Sequence, residues 1–192
     1  MAYLDYAAST PLKQEVLQEF CNVATTLYAN PSSEHKLGLL AENKIKKTKK
    51  TIADILHCSP SELYFTSGAT MSNNVVIQGF MQCKGLNAFL CSSVEHNDII
   101  MVADYLHGSV KDHFLIDVDS NGILNLNQLE NKLRKNAELG FKTLVSIQAA
   151  NSETGVIQPL SAISEIVHKY PNCYFHTDAT QYIPYFQINV ND

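Results

Sequence analysis

The stretch LYFTSGAT at residues 63–70 decides the fold, because it joins an apolar segment to a small-residue turn and a helical pattern. The apolar run predicts a β-strand over 62–66, and the spacing that follows predicts a helix over 69–83. In such a unit the backbone N–H groups and the positive end of the helix converge, where they can bind a phosphate. We therefore expect a phosphate at Ala69 and Thr70, although a lone turn of this kind is more often an ordinary helix start.

Apolar segments and helical patterns alternate along the rest of the chain. Further strands are predicted over 87–92, 112–118, 142–149 and 172–177, and further helices over 97–107, 126–138 and 159–169. Strands that alternate with helices of this length are typical of βαβ units. The sequence therefore predicts an α/β fold with a mainly parallel sheet flanked by helices. Two more helices are predicted ahead of it, one from Thr10-Pro11 and one from about 33 to 57.

Composition narrows the class of protein. The chain has 192 residues, of which 45% are hydrophobic and 17% charged, so we expect one globular domain or most of one. A net charge of −5 argues mildly against a nucleic-acid or membrane partner. The five cysteines are scattered without a Cys-x-x-Cys pair, which favours reduced thiols and a cytoplasmic protein. We expect neither a signal peptide nor a membrane-spanning segment, and no group of residues has a metal-ligand spacing.

Polar side chains follow the predicted strands at the edge where ligands of parallel sheets bind. Asp178 could pair with a protonated ring nitrogen, and Gln181 could donate to a ring oxygen if a helical turn begins at Asp178. His96 could stack on an aromatic cofactor and move protons, and Asn151 could hydrogen-bond to it. Each of these residues alone is more often a cap or a turn residue. Together they indicate a phosphorylated, nitrogen-containing cofactor.

These segments resemble the cysteine desulfurases of the pyridoxal-phosphate-dependent class V aminotransferase family. Order and spacing agree over residues 3–190, and a run of this many motifs is far more specific than any one of them. The matching segments are YLDYAASTP (3–11), NPSSEH (30–35), FTSGAT (65–70), EH (95–96), LVSI (144–147), NSETGVIQP (151–159) and HTDATQ (176–181). The resemblance implies a fold type I pyridoxal-phosphate enzyme, normally a homodimer.

The resemblance also implies a role for each matching residue. Thr70 corresponds to the residue that binds the cofactor phosphate, and His96 to the one that stacks on the pyridine ring and takes part in proton transfer. Asn151 and Gln181 correspond to residues that hydrogen-bond the cofactor near its phenolic oxygen, and Asp178 to the partner of the ring nitrogen.

Three single residues and one stretch depart from the family pattern without replacing any of these contacts. The residues are Ala29, Met71 and Ser152, and the stretch is YIPYF (182–186), where Pro184 puts the local backbone in doubt.

The implied function is transfer of sulfur from L-cysteine, which leaves alanine, through a persulfide to a sulfur-acceptor protein in iron–sulfur cluster or thio-modification pathways. The family's Schiff-base lysine, its sulfur-accepting cysteine and its small C-terminal domain correspond to positions beyond Asp192. We therefore expect residues 1–192 to form an N-terminal segment and an incomplete large domain, inactive alone. The alternatives are a selenocysteine lyase or an aminotransferase of the same class, or a non-catalytic split or degenerate fragment.

Overall fold

The computed structural model describes residues 2–106 and 108–190, which form two compact units. Residues 2–65 with 187–190 form the first unit, and 66–186 the second. The first contains helices α1 (Gln14–Thr26) and α2 (Lys36–Leu56) and a 3₁₀ turn (Pro60–Glu62). The second contains α3 (Ala69–Gly79), a π-helical turn (Phe80–Lys84), β1 (Ala88–Ser92), α4 (Asn97–Leu106), β2 (Asp112–Ile116), α5 (Leu126–Glu138), β3 (Thr143–Ser146), α6 (Leu160–His168) and β4 (Cys173–His176). No helix in the described part of the chain is both long enough and apolar enough to cross a bilayer.

The second unit is built on a parallel sheet of four strands in the order β2-β1-β3-β4. The register places Leu90 of β1 beside Phe114 of β2 on one side and Val145 of β3 on the other. A helical segment lies between each strand and the next along the chain, as in βαβ units. The predicted α/β fold with a parallel sheet and flanking helices is confirmed.

Two apolar clusters hold this sheet to its helices. Side chains alternate between the faces of a strand, so Phe89 of β1 packs with residues of α3 and α4, such as Ile77 and Ile99. Leu90 instead packs with residues of α5 and α6, such as Leu129. β1 is buried along its whole length because both of its faces are covered.

The prediction of a strand over 62–66 is wrong. The segment is not among the paired strands of the described chain, and Tyr64 and Phe65 are 83% and 60% exposed. The Lys49 ammonium donates instead to the Leu63 carbonyl at 2.7 Å and lies 5.6 Å from the Tyr64 ring centroid. A strand needs a neighbour as well as an apolar run.

Two helix boundaries also differ from the sequence expectation. The first helix begins at Gln14 because Lys13 is extended, with φ −64° and ψ 143°. The helix predicted over 69–83 is α-helical only to Gly79 and then widens into the π-helical turn that ends at Lys84.

Gly38 is a close-packed position near the start of α2. A Cβ atom there would lie 2.2 Å from the Ser33 carbonyl oxygen and 2.9 Å from the Asn30 carbonyl oxygen. Both obstacles are backbone atoms, so a side chain cannot be accommodated by a rotamer change. Gly38 N–H also donates to the capping His35 Nδ1 at 3.2 Å.

We expect Gly38→Ala to lower the free energy of unfolding by about 1–3 kcal/mol, because the backbone around 30–33 must shift. Urea denaturation measures the change. The matched control is Gly79→Ala, at a helical glycine where a Cβ atom would meet nothing within 4 Å. Alanine there should leave stability unchanged or raise it by up to about 1 kcal/mol. Equal effects of the two substitutions would contradict the packing described for Gly38.

Candidate cofactor site

The N-terminus of α3 offers unpaired donors beyond the apolar segment 63–65. The helix begins at Ala69 after an extended Gly68, and no side chain caps it. The first N–H groups of a helix have no intrahelical acceptor, and the first turn of α3 carries no acidic residue. A Cβ atom on Gly68 would meet nothing within 4 Å, so the approach to the turn is open. The donors and the open approach fit a phosphate group.

Three of the predicted residues are joined by side chains that lie between them. The Nδ1 atom of His96 lies 2.7 Å from Asp98 Oδ1, and the Thr70 hydroxyl hydrogen-bonds to the same carboxyl group. Asn73 follows Thr70 by one helical turn, and its Nδ2 donates to Asp178 Oδ2 at 2.8 Å. This contact connects the helix start to the carboxylate beyond β4.

Both carboxylates of this network are held in the ionised form. Burial raises the pKa of Asp178, but hydrogen bonds from Thr180 and Asn73 outweigh burial and leave the pKa below its usual value. Burial likewise raises the pKa of Asp98, and the hydrogen bond with His96 helps to bring it below the usual range. Asp178 is therefore an anion, as a partner of a protonated ring nitrogen must be.

Asp178 is placed by the sheet. Beyond the last residues of β3 and β4, the Ala149 N–H donates to the Asp178 carbonyl at 2.8 Å, which continues the ladder past His176. His176 itself is a packed histidine: its Nδ1 lies 2.9 Å from Ser146 Oγ, and burial lowers its pKa.

Asn151 contacts the loop that carries His96. Its Nδ2 donates to the Val94 carbonyl at 3.0 Å. Its Oδ1 accepts from the backbone of Glu153 and Thr154 at 2.9 and 2.8 Å, which is a typical Asx turn. Asn151 thus ties the loop after β3 to the loop after β1, rather than joining the network around Asp178.

Gln181 lies in a single helical turn that begins at Ala179, one residue later than expected. The N–H groups of Tyr182 and Ile183 donate to the Ala179 carbonyl at 2.9 and 3.0 Å. The Gln181 side chain is half-buried. The turn keeps it close in sequence and space to Asp178.

Sequence reasoning gave no role to three residues of the site, namely Asn73, Glu95 and Asp98. Asn73 lies one helical turn from Thr70, which puts the two on one helix face, and this spacing could have revealed it. Glu95 lies in the matching segment EH (95–96), but the resemblance gave a role to His96 alone, and nothing in the pattern distinguishes Asp98 from an ordinary helix-start residue. Within 2–106 and 108–190, no cluster of His, Cys, Asp or Glu has the arrangement of a metal site.

Comparison with curated proteins finds relatives named for sulfur transfer. The NifS/IcsS protein homolog of Lactobacillus delbrueckii subsp. bulgaricus is 38% identical over 183 residues, which cover 94% of this chain and 46% of that protein. Cysteine desulfurase IscS of Buchnera aphidicola subsp. Baizongia pistaciae is 39% identical, with 98% of this chain and 46% of that protein covered. The chain therefore spans about half the length of the curated relatives it matches.

Solved structures of similar fold also match the chain over nearly its whole length. A NifS-like protein superposes with a TM-score of 0.89 at 32% identity, over 98% of this chain and 51% of that one. A structure described as SspA in complex with cysteine has a TM-score of 0.88 at 33% identity, over 100% of this chain and 54% of that one. These matches confirm the resemblance and the α/β fold that the sequence predicts.

The family model described as aminotransferase class-V matches residues 2–192. Pyridoxal 5′-phosphate is the cofactor of this family, in agreement with the sequence prediction. Because this match extends over nearly its whole length, the chain belongs to the aminotransferase class-V family.

Proposed function

We propose that this chain provides the cofactor-binding part of a cysteine desulfurase, which moves the sulfur of L-cysteine to an enzyme thiol as a persulfide and releases L-alanine. The observation that carries the proposal is the 2.8 Å bond from Asn73 to Asp178. It brings an anionic carboxylate to the uncapped helix start at Thr70, so one ligand with a basic ring and a phosphate can engage both. Relatives named cysteine desulfurase support the choice of reaction.

Pyridoxal 5′-phosphate, when bound, supplies a pyridine ring that stores the electrons released at the substrate. Asp178 would accept the ring N–H and keep the ring protonated, because its own pKa is low. The first turn of α3 would bind the phosphate, and the Thr70 hydroxyl would turn from Asp98 to donate its one proton to it. His96, whose side chain is 58% exposed, would cover the ring and move protons from its free edge while Asp98 holds Nδ1.

Asn151 and Gln181 complete the proposed site near the phenolic oxygen. Only one of the two Asn151 amide protons is needed for the bond to Val94. The other is available to a ligand. Gln181 is carried by the turn that follows Asp178. Both roles follow from the family resemblance.

The partners and compartment are part of the same proposal. We propose a homodimer that passes sulfur to an acceptor protein in the cytoplasm. Large apolar side chains that remain exposed in the first unit, such as Phe20 at 67% and Ile55 at 61%, favour association with another polypeptide surface. The five free cysteines are consistent with a reducing compartment.

We also propose that the 192-residue chain alone does not turn over L-cysteine. No lysine follows Asp178 in its sequence. Burial raises the pKa of the Cys91 and Cys173 thiols, which makes both poor nucleophiles. Sulfide release from L-cysteine and pyridoxal phosphate above the rate with free cofactor would contradict this part.

Cofactor binding is tested with pyridoxine 5′-phosphate, which keeps the ring and phosphate but has no aldehyde to react with surface lysines. Equilibrium dialysis measures its affinity for the wild type and for Thr70→Val, which removes one hydroxyl at nearly constant shape. We expect about tenfold weaker binding, as for loss of a hydrogen bond to a charged group.

The matched control is Thr51→Val, an exposed threonine of α2 whose hydroxyl donates to the Lys47 carbonyl at 3.2 Å. It should bind the ligand like the wild type. Equal affinities for the Thr70 and Thr51 variants, or no saturable binding to the wild type, would contradict the proposed cofactor site.

A further inference from the structure

Glu95 is a buried carboxyl group in the loop after β1. It is 8% exposed. Its Oε1 accepts from Ser92 Oγ at 2.5 Å and from the Gln148 N–H at 2.9 Å. Its Oε2 is buried and has no hydrogen-bond partner among the described residues. The side chain therefore connects the end of β1 to the chain leaving β3, with one oxygen fully used and one unmatched.

The loop that Glu95 belongs to is fixed at several points. The Val94 carbonyl accepts from Gln148 Nε2 at 2.5 Å and from Asn151 Nδ2 at 3.0 Å. The residue that follows Glu95 is His96, the proposed cover of the cofactor ring. Because His96 itself is largely exposed, its position depends on how firmly residues 93–95 are held to the β3 exit.

The surroundings of Glu95 disfavour a negative charge. An ionised oxygen that is buried without a donor is costly, and far costlier than a neutral one. The pKa of Glu95 is raised to about 7: burial is the main cause and the negative charge of Asp178 adds to it, while the hydrogen bonds from Ser92 and Gln148 oppose the rise. Of the neighbouring titratable groups, Asp178 lies after β4 and is ionised, whereas Cys91 on β1 is an uncharged buried thiol. When their environments drive the pKa values of two carboxyl groups apart in this way, the two groups can serve different roles.

We propose that Glu95 is a positioning residue of the cofactor site: its Oε1 ties the His96 loop to the exit of β3, and its buried carboxyl group gives up its proton less readily than Asp178, which is left as the anion for the ring nitrogen. The role of Asp178 toward the ring nitrogen rests on the proposed function. The tie between the His96 loop and β3 rests on the hydrogen bonds of Oε1 and holds without a bound cofactor.

The test compares Glu95→Gln, which keeps the shape of the neutral group, with Glu95→Ala, which removes both hydrogen bonds. Glu138→Ala, at an exposed carboxyl group of α5, is the control. The backbone N–H of Gln148 donates to Glu95 Oε1, so the NMR shift of this backbone amide reports the charge of the Glu95 carboxyl group. We expect an inflection near the pKa of about 7 in the wild type and in the control, and none in Glu95→Gln.

The pH dependence of the thermal midpoint provides an independent measure of the raised Glu95 pKa. The folded protein holds the Glu95 proton more tightly than the unfolded chain, because folding raises this pKa from 4.5 to about 7. The thermal midpoint of the wild type should therefore decline as the pH rises through this interval, relative to Glu95→Gln.

The positioning role predicts a ranking of the two variants. Glu95→Gln should keep the exchange rate of the Gln148 amide and the affinity for pyridoxine 5′-phosphate within about threefold of the wild type. Glu95→Ala should raise the exchange rate and weaken the affinity by about tenfold or more.

The proposal is overturned if the wild-type Gln148 amide shows no inflection, or if glutamine is as damaging as alanine. If Glu95→Ala fails to fold, the wild type and Glu95→Gln still decide the matter. A wild type that shows the inflection and the exchange ranking but binds no pyridoxine 5′-phosphate would support the positioning role and contradict only the proposed function.

Discussion

Asp178→Ala is expected to weaken the binding of pyridoxine 5′-phosphate by between about tenfold and about 100-fold, the effect of losing a charge-assisted hydrogen bond. The side chain is ionised, and Asn73 and Thr180 orient it through bonds of 2.8 and 3.0 Å. Its removal leaves the ring nitrogen without an anionic partner and also releases Asn73 from the carboxylate. Equilibrium dialysis against the ligand measures the loss.

Two further variants separate charge from shape in this experiment. Asp178→Asn keeps the size of the side chain but not the charge, so its affinity should lie between those of the wild type and Asp178→Ala. Asp54→Ala, at an exposed carboxyl group of α2, should have no effect. If Asp178→Ala melts like the wild type and still binds the ligand with unchanged affinity, Asp178 is not the partner of the ring.

Phe89→Ala is expected to lower the free energy of unfolding by about 3–5 kcal/mol. Phe89 lies on a central strand, is 0% exposed, and packs in the cluster that includes Ile77 and Leu144. Its ring is also parallel to that of His113, with centroids 6.3 Å apart. Truncation leaves a cavity between the sheet and helices α3 and α4, which neighbouring strands cannot close.

Urea denaturation gives the change in stability, and the loss is a large fraction of the roughly 5–15 kcal/mol typical of a domain. Met101→Ala is the control, since Met101 on α4 is 71% exposed and its truncation should cost less than about 0.5 kcal/mol. A loss at Phe89 no larger than that at Met101 would contradict the packing of this face of the sheet.

The architecture of the second unit could be predicted because its signals are local. Each strand from β1 to β4 lies in a short, mainly apolar run, a helical pattern separates each strand from the next, and the parallel arrangement follows from that alternation. The segment 62–66 has the same apolar signal but forms no strand, because strand formation also depends on a partner, and no described strand provides one. Pairing is a non-local property that an apolar run cannot report.

The candidate site likewise contains residues that the sequence could predict and contacts that it could not. His96 and Asp178 could be proposed because each follows a predicted strand that forms, at an edge where ligands bind. Thr70 could be proposed from its helix start, although the strand predicted before it does not form. The contact between Asn73 and Asp178 joins residues 105 positions apart, and no sequence spacing encodes it. Nor could the sequence show that the second carboxyl oxygen of Glu95 is buried without a partner.

The most direct measurement of the central claim is the NMR mapping of pyridoxine 5′-phosphate onto the isotope-labelled chain. We expect saturable shifts of the backbone amides of Ala69 and Thr70 at the start of α3, together with those of Asp178 and Gln181 beyond β4. These two groups of residues lie far apart in sequence, so their joint response requires one site that contains both. Shifts confined to the lysine-rich helix α2, or no saturable shifts, would contradict the account.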